Sequence, residues 1–156
     1  MKWMIFGIMV ALLVGALGTA FAKNSEPIQA FLRSEFRLVD EISGLSSEER
    51  RAFQSYVGDK PVAKAGDPYE ATDVLDSRDL PRRRVVLAGV GHHISFVMYE
   101  HGGRGSHDHL VVMMEDGDDV TVPYSCVGAL PRTLDGIKAA VQKQICKRER
   151  GSREER

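Results

Sequence analysis

The chain has 156 residues, with 21 Lys and Arg against 22 Asp and Glu and a formal net charge of −1. A charge so nearly balanced gives no field that would hold a polyanion, so nucleic acid is not an expected partner. The length suits one ordinary domain able to bury its own core.

Lys2 precedes an uncharged apolar run from Trp3 to Ala22 that closes on the small-residue pattern Ala20-Phe21-Ala22. This is the form of a secretory signal peptide. The run is also long enough to cross a bilayer as a retained anchor, but Gly7, Gly15, Gly18 and the small residues at its end favour cleavage. Cutting after Ala22 removes Lys2 and takes the net charge from −1 to about −2. A periplasmic or extracellular location follows, with membrane contact expected only if the segment is kept. The expected organisation is a signal peptide over 1–22, one small α+β domain over 23–149 and a frayed charged tail over 150–156.

Asn24 and Ser25 offer caps, Pro27 suits a first helical turn, and Ile28, Phe31, Leu32, Val39 and Ile42 recur at helical spacing before Gly44. Ser46 and Glu49 then form a capping-box pattern ahead of a second helix that reaches Tyr56 or Val57. The two predict a helical hairpin. From Gly58 to Pro81 the chain reads as a long connection, with a helical turn near Ala71 to Leu75. Asp73, Asp76 and Asp79 within it lack the alternate-residue spacing and turn glycine of a calcium loop, and read as a solvated face.

Arg82-Arg83-Arg84 reads as an exposed strand start rather than a binding patch. Four β-prone runs follow, Val85 to Val90, Ile94 to His101, His109 to Glu115 and Val120 to Val127. Gly91-His92-His93, the glycine-rich 102–105 and Asp116-Gly117-Asp118 supply hairpin turns between them. Leu134, Ile137, Val141 and Ile145 place a last helix over Thr133 to about Arg148. The expected fold is α+β, with the N-terminal helical hairpin and the C-terminal helix packed on one face of a four-stranded antiparallel meander.

Cys126 and Cys146 are the only cysteines, and in an oxidising compartment they read as a disulfide tying the last strand to the last helix. All five histidines, His92, His93, His101, His107 and His109, fall in one short span. Alternation puts His107 and His109 on one sheet face, and pairing of His101 with His107 would bring all three together. Three imidazoles so placed suit zinc or copper and leave a position open for water or substrate. Glu100, Asp108 and Glu115 are the carboxylates near enough in sequence to join or orient such a set. Met98, Met113 and Met114 read as core.

Other chemistry is excluded by departures from its patterns. His107, Asp108, His109 and Glu115 miss the cupin metal spacing, and no second-motif histidine follows Pro123. Val111 stands where a histidine-triad hydrolase has its third histidine. No nucleophile elbow, dinucleotide fingerprint or Cys-x-x-Cys motif is present. No catalytic or cofactor-binding residue is therefore assigned. On sequence alone the leading expectation is an exported, non-catalytic domain that binds a protein partner or belongs to the envelope. The alternatives are a zinc- or copper-binding protein built on His101, His107 and His109, and a metal-dependent enzyme on the same ligands.

Overall fold

The computed structural model describes residues 26–58, 60–72, 80–103 and 105–149. The expected signal peptide, the Asn24 and Ser25 caps, Asp73, Asp76 and Asp79, and the charged tail lie outside them. The fold is α+β. A helix over 26–33 (α1) leads to strand β1 (Arg37–Val39), a 3-10 turn (Ile42–Gly44), helix α2 (Ser47–Val57) and strand β2 (Val62–Ala63). Four long strands follow, β3 (Arg83–Val90), β4 (Ile94–His101), β5 (His107–Asp116) and β6 (Asp119–Gly128). Helix α3 (Leu134–Gln142) and the short strand β7 (Lys147–Arg148) complete it.

The sheet therefore has seven strands and not four. Its order is β1-β3-β4-β5-β6-β7, and β2 joins β3 in parallel at the end opposite β1. Side chains alternate across a strand, so each strand feeds two cores. Phe96, Met98, Leu110, Val112 and Cys126 point to one face, where α1 brings Phe31 and α3 brings Ile137, Ala140 and Val141. Val85, Val97, Tyr99, Val111 and Met113 point to the other, where α2 brings Phe53 and Val57. Helices thus cover both faces, which corrects the one-faced expectation; Met98 and Met113 are core residues on opposite sides.

The helical hairpin is also corrected. Helix α1 stops at Ser34, whose hydroxyl and backbone N–H both donate to the Ala30 carbonyl, at 2.8 and 3.0 Å. Phe36 then inserts edge-on against Phe96, with ring centroids 4.9 Å apart, and β1 pairs with Ala88–Val90. Gly89 admits this approach, because a Cβ there would stand 2.5 Å from the Phe96 ring and 3.0 Å from Phe36 Cβ. Val39 and Ile42, read as helical, lie in the strand and the 3-10 turn.

Helix α2 begins as its sequence requires: Ser46 Oγ accepts from Glu49 N at 3.1 Å, and Ser46 N donates to Glu49 Oε2 at 2.7 Å. Glu49, Phe53 and Val57, four apart, form its buried stripe. Helix α3 ends at Gln142, earlier than expected, and Ile145 is 64% exposed. The sulfurs of Cys126 and Cys146 lie at disulfide-bonding distance, with Cα atoms 5.6 Å apart. This bridge and the β6–β7 pairing, Cys126 with Arg148 and Val127 with Lys147, turn the chain after α3 back along the sheet edge.

Candidate metal centre

Strands β4 and β5 run antiparallel, with His101 directly opposite His107 and Tyr99 opposite His109. Residues opposite one another share a face, so all three histidines stand on the α2 face, in line with Val111 and Met113. One ligand atom from each of the three lies within 4.8 Å of the others, the one such group among the described residues. The ring centroids are 4.7 Å apart for His107 and His109, 5.7 Å for His101 and His107, and 6.1 Å for His101 and His109. A tetrahedral zinc ion about 2.0–2.1 Å from each nitrogen sets those nitrogens roughly 3.4 Å apart. Binding thus asks the nitrogens to draw together by up to about 1.4 Å, within reach of side-chain rotation at the half-buried His101 and His107.

The hydrogen bonds behind the rings decide which nitrogens remain for a ligand. His107 Nδ1 lies 2.8 Å from the Gly105 carbonyl, so it carries the proton and Nε2 is left as an acceptor. His109 Nδ1 lies 3.3 Å from Glu149 Oε1, and the His109 ring stacks on Tyr99 with centroids 4.8 Å apart and planes 2° from parallel. His109 Nε2 is buried and has no hydrogen-bond partner. A buried imidazole nitrogen without a partner is costly unless something occupies it. A carboxylate behind one histidine and a carbonyl behind another is the arrangement that fixes tautomer and orientation in metal sites.

Glu149 itself is held twice over. Its Oε2 accepts from the Tyr56 hydroxyl at 2.6 Å, and its backbone N–H donates to Ser125 O at 3.0 Å. Burial raises its pKa, but the hydrogen bonds from His109 and Tyr56 outweigh that and hold the carboxyl below its ordinary value. The Cys126–Cys146 bridge and β7 carry Glu149 to this place.

The carboxylates expected from sequence do not take part. Glu100 and Asp108 project from the same strands onto the opposite face. There Glu100 Oε1 accepts from Arg84 Nε at 2.7 Å, and its Oε2 from Arg132 Nη2 at 3.1 Å. Asp108 Oδ1 lies 3.3 Å from Arg132, and its Oδ2 accepts from Leu130 N at 3.0 Å. Glu115 pairs with His93 beyond the other end of β4, where His92 and His93 contact each other in the β3–β4 turn. Sequence reasoning missed Glu149 because it stands 40 residues from His109 and reaches it only through the turn after α3.

The expectation of an exposed arginine run holds at Arg82 and is corrected beyond it. Arg83 is 7% exposed and stands opposite His101, while Arg84 faces the other way and stacks on Tyr69 at 4.2 Å. The segment around Glu70 closes this end of the sheet. Gly102 meets it so tightly that a Cβ would fall 1.9 Å from the Glu70 carbonyl oxygen. A separate groove of about 460 Å³ is lined by Arg51, Ala52, Tyr56, Asp119, Val120 and Val122 among others, and Tyr56 also donates to Glu149 behind His109. The chain matches no known protein family, no curated protein and no solved structure.

Proposed function

We propose that this protein binds zinc or copper through His101, His107 and His109 and leaves a fourth position for an exogenous ligand. The observation that carries the reading is the buried, partnerless Nε2 of His109, within reach of two further imidazoles and backed on its other nitrogen by Glu149. Three imidazoles suit zinc and copper, where calcium or magnesium would want oxygen ligands. The partner-binding reading rests on missing motifs; the histidine geometry gives metal binding a positive observation, so it takes first place. The apolar run closing on Ala20-Phe21-Ala22 and a bonded cysteine pair support export to an oxidising compartment.

The test is metal content. The full chain is expressed with its own N-terminus, purified without an affinity tag, and set beside the variant carrying His101→Ala, His107→Ala and His109→Ala. Near-stoichiometric zinc or copper that is lost in the variant is the expected result, with a mature N-terminus at Lys23. A parent protein that carries neither metal and takes up neither from supplemented buffer would sink the proposal. The open position also admits a metal-dependent hydrolase or oxygenase, for which turnover abolished by a chelator and restored by one metal is the added requirement.

A further inference from the structure

Arg83 is buried on the histidine face, and its Nε and Nη1 have no hydrogen-bond partner. It stands directly opposite His101, which stands directly opposite His107, so the three form one row across β3, β4 and β5. Neighbours in such a row have Cβ atoms about 4.5–5.5 Å apart, a span that an arginine side chain covers easily. Among the described residues no ion pair neutralises it. Glu100 is engaged by Arg84 and Arg132, Glu149 by His109 and Tyr56, and Glu70 by Thr72. A guanidinium nine-tenths buried without a counter-ion is rare, because desolvating the charge is costly unless a partner restores its hydrogen bonds.

A divalent metal on the three histidines would add a second positive charge beside the first. An anion lying between them answers both at once: one oxygen fills the open coordination position, and a second accepts from the guanidinium fork, whose geometry matches carboxylate and phosphate. We infer that the site takes a small oxyanion, a carboxylate or phosphate group, held jointly by the histidine-bound metal and Arg83. The inference rests on the metal reading above and adds the chemical class of its ligand. Since the anion screens metal from guanidinium, metal and anion strengthen each other's binding by the same factor.

The experiment uses the full chain loaded with cobalt(II), whose visible spectrum reports the fourth ligand. It is titrated separately with sodium acetate and with inorganic phosphate, with sodium chloride at matched ionic strength as the control. The expected result is a saturable spectral change with one anion per cobalt. Saturation by acetate alone assigns a carboxylate ligand, by phosphate alone a phosphoryl ligand, and by both the shared oxyanion chemistry. Arg83→Gln is expected to weaken the anion at least tenfold while cobalt still binds, and Arg83→Lys to recover part of the loss. Equal anion affinity in the parent and Arg83→Gln, or no response to either anion beyond chloride, overturns the inference and leaves the metal site standing. Failure of the parent to bind cobalt removes both. If Arg83→Gln does not fold, the parent's cobalt affinity decides: it must rise several-fold with saturating anion, and no rise overturns the inference.

Discussion

The two faces of the sheet at the β4–β5 hairpin end are built from alternate residues of the same strands, yet they differ in how their polar groups are satisfied. On the α3 side, Glu100 and Asp108 are 5% and 6% exposed, and each of their carboxylate oxygens meets Arg84, Arg132 or the Leu130 N–H. On the α2 side, the Nε2 of His109 and two guanidinium nitrogens of Arg83 are buried without partners. The first network is closed, satisfied within the fold, whereas the second is open and leaves buried polar atoms without partners. One residue step along the chain, Arg83 to Arg84 or Asp108 to His109, separates the two roles.

The largest expected effect tests what fastens the open face. Replacing Cys126 and Cys146 by serine removes a covalent closure worth about 3 kcal/mol in the chain-entropy model, read as a lower midpoint in urea unfolding. The same change frees Glu149 from its anchor, so metal affinity falls with stability. Metal affinity unchanged in the double variant would show that β7 pairing alone holds Glu149.

On the closed face, Glu100→Gln is expected to cost about 2 kcal/mol, less than a fully buried ion pair because Arg132 is half exposed, and to leave metal affinity within about twofold. Burial raises the Glu100 pKa, but the hydrogen bonds and charges of Arg84 and Arg132 outweigh it, and the carboxyl sits below its ordinary 4.5. A lowered folded-state pKa makes this stabilisation fully present above that ordinary value and removes it as pH falls through the lower one. The parent should therefore lose more stability than Glu100→Gln on acidification below about pH 4.5. Parallel stability–pH curves would contradict the closed-network reading.

Glu149→Gln separates orientation from folding. Loss of a carboxylate behind a metal-bound histidine typically weakens metal binding by about 10–100-fold, and unfolding stability should move by less than about 1 kcal/mol, as the amide still accepts from Tyr56. A stability loss with unchanged metal affinity would move Glu149 to the structural side of the comparison.

The smallest effect carries a contrasting sign. Arg83→Met replaces a buried guanidinium that has two nitrogens without hydrogen-bond partners and no ion pair among the described residues, and in anion-free buffer it should stabilise the protein by about 1 kcal/mol. Arg84→Met, which strips Glu100 of a partner, should destabilise by about 1–2 kcal/mol. If both substitutions destabilise alike, the two arginines have the same structural role and the comparison collapses.

Several features are legible in the sequence because their causes are local. The turns at Gly91-His92-His93 and Asp116-Gly117-Asp118 and the alternation between them lead to the long strands, and Ser46 with Glu49 announces the start of α2. The run from Ile28 to Ile42 misleads because its spacing fits a helix, whereas the break at Ser34 is set by Phe36 packing on Phe96, sixty residues away in sequence. Ile145 continues the apolar spacing of α3, but the chain is turned out of the helix where Cys146 reaches Cys126.

By itself the sequence determined that strands would alternate through the histidine span, that His107 and His109 would share a face, and that two cysteines could meet. The tertiary structure decided the rest: the register that sets His101 against His107, the burial of Arg83 beside them, and the return of Glu149 from the far end of the chain to His109. Periodicity is a property of neighbouring residues, whereas register and burial depend on which distant segments can pack together without leaving polar groups stranded.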